Sequence, residues 1–257
     1  MDYNYHTHTS RCGHATGSDE EYIINAIEAG IKYLGFSDHA PYVFSDGHED
    51  NWRVPLSEAD SYVKSINLLR EKYCDKIQIL IGFEMEYYKE HFEEMLNIAR
   101  KYGAEYLILA QHFIKGQHPN GVGSVGPTDS EDHLSCYVNE VIDGMKTGLF
   151  SYVAHPDLVC FTGDDQVYHK HITRLCLAAK ELNIPLEINL LGIRNNKHYP
   201  AEKFWQIVGE IGSPVTIGYD AHDSKNFLDT VQLRKTNELI KRYNLNYIGK
   251  PHIRIIK

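Results

Sequence analysis

Ile77-Gln78-Ile79-Leu80-Ile81-Gly82-Phe83-Glu84 is an almost unbroken apolar run that ends in a carboxylate. A strand exposed on one face alternates apolar and polar residues, whereas a strand covered on both faces does not need to. The run therefore predicts a buried strand of a parallel sheet. The acid at its end recurs in kind elsewhere. Tyr3–Tyr5 runs into His6-Thr7-His8, and Tyr33–Ser37 into Asp38-His39. Tyr106–Ala110 runs into Gln111-His112, and Ser151–Ala154 into His155-Pro156-Asp157. Pro185–Asn189 carries Glu187, and Val215–Gly218 runs into Tyr219-Asp220-Ala221-His222.

Helical patterns fill the intervals. Ser18 and Glu21 are spaced as a capping box, and Gly30 is placed to close the helix they open. Ala59, Tyr62, Val63, Ile66 and Leu69 form one stripe of an amphipathic helix over 57–73. Further helices are expected over 91–102, 131–145, 169–182, 201–211 and 227–243, the last followed by Tyr247-Ile248. Seven strand-then-helix units favour an α/β barrel over an open sheet. A chain of 257 residues matches the roughly 250 of one such barrel, so residues 1–257 read as a single domain. Two long segments, 41–55 and 114–130, follow the second and fourth strands. Loops of that length are often functional.

In a barrel the C-terminal strand ends converge on one face, and that face carries the chemistry. Each candidate ligand lies at such an end. His6 and His8 are two apart, so in an extended chain both point the same way, and Asp220 and His222 repeat the spacing. A carboxylate can bridge two ions with its two oxygens and an imidazole cannot, which makes Glu84 the expected bridge. Imidazole suits zinc, iron and nickel, and carboxylate suits harder ions such as manganese. The other histidines (His48, His91, His118, His133, His169, His171, His198, His252) fall on helices or in loops and read as structural or solvated. His14 lies in a Gly-flanked loop near His8, and its own context leaves its role open.

The net charge of −9 argues against a nucleic-acid partner. It does not exclude an anionic substrate, because bound ions reverse the local field. No run approaches the roughly 18 apolar residues of a membrane span. No basic stretch precedes an apolar one at the N-terminus, so a cytoplasmic location is the default expectation. The five cysteines are scattered without a C-x-x-C pair and read as reduced thiols.

Taken together, the segments His6-Thr7-His8-Thr9, Ser37-Asp38-His39, Gly82-Phe83-Glu84, Gln111-His112, Ala154-His155-Pro156-Asp157 and Gly218-Tyr219-Asp220-Ala221-His222 resemble the polymerase-and-histidinol-phosphatase (PHP) superfamily of metal-dependent phosphoesterases. The resemblance spans almost the whole chain. It implies a distorted (β/α)7 barrel with three divalent transition-metal ions, zinc foremost and manganese or iron as alternatives. By position it implies His6, His8, Glu84 and Asp220 at the first ion, and Glu84, His112 and His155 at the second. His14, His39 and His222 fall at the third. Within the superfamily, Ile81–Glu86 and Leu186–Asn189 with Arg194 resemble the monofunctional histidinol-phosphate phosphatases. Many of these carry an arginine shortly after the His-x-Asp of the fifth strand; here the stretch is Leu158-Val159-Cys160-Phe161.

The implied reaction is hydrolysis of a small phosphorylated metabolite, L-histidinol phosphate first, by attack of a hydroxide bridging two ions. Asp157 and Asp220 are both candidates to protonate the leaving alkoxide. Glu187 and Asn189 share a face at the sixth strand end and are expected to meet the substrate, with Arg194 holding phosphate. The alternative for these three is that Glu187 pairs with a barrel lysine or arginine and Arg194 is solvated. Other phosphate substrates (a nucleotide, a sugar phosphate, a cyclic phosphodiester, phosphotyrosine) stay open. A non-catalytic metal-binding module is disfavoured, because every matched ligand position is present.

Overall fold

The computed structural model describes residues 1–256. Eight parallel strands form one sheet in the order β1 (Tyr3–Asn4), β2 (Tyr33–Phe36), β3 (Gln78–Met85), β4 (Tyr106–Leu109), β7 (Phe150–Val153), β8 (Leu186–Asn189), β9 (Pro214–Gly218) and β10 (Asn246–Tyr247). A two-stranded antiparallel hairpin, β5 (Phe113–Ile114) and β6 (Val122–Gly123), stands apart from it. The helices are α1 (Asp19–Glu28), α2 (Ala59–Lys72), α3 (Phe92–Lys101), α4 (Glu131–Lys146), α5 (Asp165–Glu181), α6 (Leu190–Arg194), α7 (Glu202–Ile211) and α8 (Thr230–Arg242). None is long and apolar enough to cross a membrane.

The seven expected strands are the seven that carry the site, and the curled parallel sheet is that of a distorted barrel. Its closure is the irregular part. At their C-terminal ends the first and last barrel segments meet through a Thr7–Ala221 parallel bridge. Here His8 N–H donates to Ala221 O at 3.0 Å and Ala221 N–H to His6 O at 3.2 Å. Lower down, side chains replace the ladder. Tyr219 N–H donates to Asn4 Oδ1 at 2.9 Å, and Tyr3 Oη lies 3.0 Å from Thr216 Oγ1. At the opposite end β10 pairs with the start of β9.

Local rules decide the helix ends. The Ser18–Glu21 capping box forms, and Gly30 adopts a left-handed φ of 77° just past α1. The helix expected from 169 begins at Asp165 instead, because Asp164 caps it by accepting from Gln166 N and Val167 N. Apolar helix faces and the outer sheet face make the main core, with Leu34, Ile66, Leu96, Val141, Leu175 and Trp205 among its buried members. The barrel interior is a separate cluster built largely of tyrosine: Tyr3, Tyr5, Tyr106 and Tyr152 with Ile108, Ala110 and Ala154. This cluster packs the barrel interior below the strand ends.

Candidate metal centre

The strand ends bring His6, His8, His39, Glu84, His112, His155, Asp220 and His222 together in one cavity, with His14 at its mouth. Glu84, from the end of β3, is the hub. Its Oε1 lies 2.9 Å from His155 Nε2, 3.4 Å from His6 Nε2 and 3.7 Å from His112 Nε2. Its Oε2 lies 3.0 Å from His39 Nδ1 and 3.5 Å from His8 Nε2. The two oxygens thus face different sets of imidazoles. Asp220 Oδ1 is 3.1 Å from His8 Nε2, 3.2 Å from His222 Nδ1 and 3.4 Å from His6 Nε2. His155 and Asp220 both adopt positive φ, 28° and 46°. Such backbone costs about 1–3 kcal/mol per residue and persists where the surroundings dictate it; here it accompanies two of the converging side chains.

A further layer fixes the rings. Glu187 Oε1 lies 2.9 Å from His6 Nδ1, Asp38 Oδ1 lies 3.3 Å from His8 Nδ1, and Glu86 Oε1 lies 2.8 Å from His112 Nδ1. Binding one ring nitrogen to a carboxylate sets the tautomer and aims the other nitrogen inward, as metal-ligating histidines require. Asp38 is held in turn by Thr9 N–H at 2.9 Å and by the Thr9 hydroxyl at 2.5 Å.

The electrostatics call for cations. Asp38, Glu84, Glu187 and Asp220 are buried, and among the described residues their only ion-pair partners are histidines. Against the cost of burial, neighbouring histidines (His39 and His6 first for Glu84, His6 and His222 first for Asp220) hold both carboxyls well below the usual carboxylate range. Burial opposes a charge on His6 and His8, yet the surrounding carboxylates, Asp220 foremost, push both well above the usual histidine range. Burial drives His39 the other way, down to about 3, against the pull of the Glu84 carboxylate. His6 Nε2, His8 Nε2, His39 Nδ1, Glu84 Oε2 and Asp220 Oδ1 are all buried without a hydrogen-bond partner. Buried charges and lone pairs left in this state are costly unless paired or bound to metal. Divalent ions satisfy both demands, and the residues fit them. Donor atoms of His6, His8 and Glu84, of His6, His155 and Asp220, of His39, Glu84 and His112, and of His14, His39 and His222 lie within 4.8 Å of one another in each set.

A cleft of about 730 Å³ opens onto this centre. Its walls include Trp52, Phe113, Val125, Leu158, Leu191 and Tyr199, with Asn51, Asn195 and Lys197 as the polar groups outside the centre. Trp52 comes from the first long loop and packs its ring 4.8 Å from that of His39 and 5.6 Å from that of His112. The second long loop folds into the β5–β6 hairpin, and Gly123 and Val125 of that segment face the cleft.

The PHP domain family matches residues 4–190. A probable histidinol-phosphatase of Deinococcus radiodurans is 27% identical over 225 residues, covering 84% of this chain and 85% of that protein. One from Schizosaccharomyces pombe is 26% identical over 251 residues, covering 86% and 81%. Among solved structures, the histidinol phosphate phosphatase of Lactococcus lactis, complexed with zinc, L-histidinol and phosphate, superposes with a TM-score of 0.72. It is 20% identical, with 96% and 95% of the two chains covered. The chain belongs to the PHP domain family. It is a metal-dependent hydrolase of the phosphatase class.

Several residues stand differently from the sequence-based expectation. Glu187 and Asn189 face the barrel interior as their spacing predicts, but they lie beneath the cavity and are fully buried. Glu187 accepts from His155 N–H at 3.1 Å and Asn189 Nδ2 at 3.0 Å besides contacting His6, and Asn189 Nδ2 also donates to Asp220 Oδ2 at 3.0 Å. They orient the centre and are not on the cleft wall. Arg194 points away to donate to Tyr219 O at 3.3 Å; Lys197, three residues on, lines the cleft instead. Asp157 is enclosed, with Oδ2 accepting from Ala201 N–H at 2.7 Å and Trp205 Nε1 at 2.9 Å. Asp220 lies in the centre itself, facing His6, His8 and His222. Sequence reading also passed over Arg53, Trp52, Tyr199 and Lys197. All lie in loops, or next to one, where neither periodicity nor a ligand motif marks them.

Proposed function

We propose that this chain hydrolyses a phosphate monoester, with L-histidinol phosphate as substrate. Three divalent ions, zinc foremost, would be held by His6, His8, Glu84 and Asp220, by Glu84, His112 and His155, and by His14, His39 and His222. The observation that carries the reading is Glu84, whose two oxygens face separate groups of imidazoles at the floor of a cleft. When bound, such ions neutralise charge on a phosphoryl group and lower the pKa of water to about 7. The protein's own part is to position and to exclude. Glu187, Asp38 and Glu86 fix the imidazoles. Lys197, the cationic side chain on the cleft wall, binds phosphate oxygens. Trp52 and Phe113 stack on a planar ring and keep water from the floor. The Tyr199 hydroxyl, kept protonated by burial and by the nearby Asp220 and Asp157 charges, donates to a substrate oxygen. We read residues 1–257 as one domain, cytoplasmic, with neither nucleic acid nor membrane as partner.

A second reading rests on one feature of the cleft. Among the described residues its acidic lining is Glu84 and Asp220, both taken up by the centre, which leaves no further lining carboxylate among them for the ammonium of histidinol phosphate. This favours a planar phosphate ester without an ammonium group. The test is steady-state hydrolysis by metal-loaded protein of histidinol phosphate, nucleoside monophosphates, sugar phosphates and phosphotyrosine. The highest kcat/KM on histidinol phosphate supports the first reading, a higher value on another ester moves the assignment to the second, and no hydrolysis of any overturns both.

A further inference from the structure

Among the described residues Cys12 is the one chemically soft side chain at the centre, and neither the motifs nor the implied ligand sets use it. It ends a single 3-10 turn, Ser10–Cys12, capped by Thr9 and closed by Gly13 at φ 78°. The turn sends Cys12 inward to 0% exposure while His14, two residues on, stands at the cleft mouth. The donor atoms of Cys12, His8 and His222 lie within 4.8 Å of one another, the same spacing that unites His14, His39 and His222. The two sets share His222. The His8 and His222 rings stack at 3.9 Å, and the His14 ring lies 4.8 Å from His222 and 6.3 Å from His8. His8 is fully buried and its Nε2 has no hydrogen-bond partner, so a ring nitrogen open to a ligand bond accompanies the thiol. The other buried cysteine, Cys176, sits in α5 within the apolar core and meets no such group.

We propose that Cys12 is a metal ligand at the third-ion position, its thiolate joining His222 and the adjoining imidazoles. The inference rests on the metal-centre reading above. On binding, the S–H bond breaks, the proton leaves to solvent past exposed His14, and the sulfur lone pair is donated to the ion. The contact from Cys12 Sγ to Thr9 O, 3.1 Å, is given up as the sulfur turns. A thiolate selects soft or borderline ions over hard ones, so this position takes zinc or cobalt in preference to manganese or magnesium.

The experiment is optical spectroscopy of the cobalt(II)-loaded full chain, with metal content measured on the same sample. Wild type and Cys176→Ser are expected to show a near-ultraviolet thiolate-to-cobalt charge-transfer band, and Cys12→Ser to lack it while still binding cobalt at the other positions. Competition with a chelator should show zinc, but not manganese, held less tightly by Cys12→Ser. Bound cobalt without the band in wild type, or a band that persists in Cys12→Ser, overturns the proposal and leaves the metal-centre reading standing. A protein that binds no metal overturns both. Should Cys12→Ser fail to fold, X-ray absorption of zinc-loaded wild type decides: a sulfur neighbour at about 2.3 Å supports the proposal, and a shell of nitrogen and oxygen alone overturns it.

Discussion

Arg53 Nη2 lies 2.7 Å from Glu86 Oε2, and both side chains are almost completely buried. The other oxygen of Glu86 holds His112 Nδ1, while the same guanidinium donates to Ala40 O and Gln117 Oε1 and stacks over Trp52. One arginine therefore ties both long loops to a residue of the centre. Breaking a buried pair from one side costs roughly 3–5 kcal/mol, whereas replacing both partners with apolar groups is often neutral. Arg53→Ala should lower unfolding free energy by about that amount in denaturant titration. Arg53→Met combined with Glu86→Leu should restore most of the stability yet bind metal about 10- to 100-fold more weakly, because His112 is no longer oriented. A double variant with wild-type metal affinity would remove Glu86 from this role.

Glu84→Gln keeps the shape of the hub and deletes the charge that faces two groups of imidazoles. The expected result is loss of two ions by elemental analysis and of nearly all turnover. His14→Ala, at the exposed edge, should affect mainly one ion and leave measurable activity. Wild-type turnover in Glu84→Gln would end the bridging assignment.

Lys197→Ala should cut kcat/KM for the phosphate ester by roughly 10- to 100-fold, the equivalent of about 1.5–3 kcal/mol for a charged hydrogen bond. Metal content should not change. Arg194→Ala, whose guanidinium turns to a backbone carbonyl, should stay within a few-fold of wild type. The reverse ranking in parallel assays would return phosphate binding to Arg194.

Asp157→Asn separates an acid from a structural acceptor. Asp157 Oδ2 takes two hydrogen bonds from the α7 region, and disturbing them should cost about 1–3 kcal/mol of stability. Turnover by the folded variant should remain within a few-fold of wild type at its metal-saturated maximum. A fall of 100-fold or more in kcat would make Asp157 the proton donor.

The strand ends were legible because each barrel strand is a short apolar run stopped by a polar, metal-binding residue type, and the parallel topology then forces those stops onto one face. Glu187 shows what such a pattern omits. Period-two alternation says that Glu187 and Asn189 face inward, but not how deep along the barrel axis they lie. That depth follows from sheet stagger and from Gly218 beside Glu187, where any Cβ would collide with the carboxylate. The short helix α6, the β5–β6 hairpin and the pairing of β10 with β9 were missed for a related reason. They are set by contacts across the chain, and their few residues carry no period of their own. That Lys197 and not Arg194 lines the cleft is of this kind too, since α6 decides which side chain returns to it.

The two tryptophans of the chain occupy opposite situations. Trp205 is fully enclosed in the core with its indole N–H bound to Asp157, whereas Trp52 is partly open on the cleft wall beside His39 and His112. Emission from this protein is therefore expected to divide into a blue component that reports an intact core and a red component that reports what sits in the cleft. A paramagnetic ion entering the centre is expected to quench the Trp52 component more strongly, because that ring lies 4.8 Å from His39 and 5.6 Å from His112. Ion loading, ligand entry and unfolding can then be followed separately in one cuvette, with Trp52→Phe as the control that removes only the cleft signal.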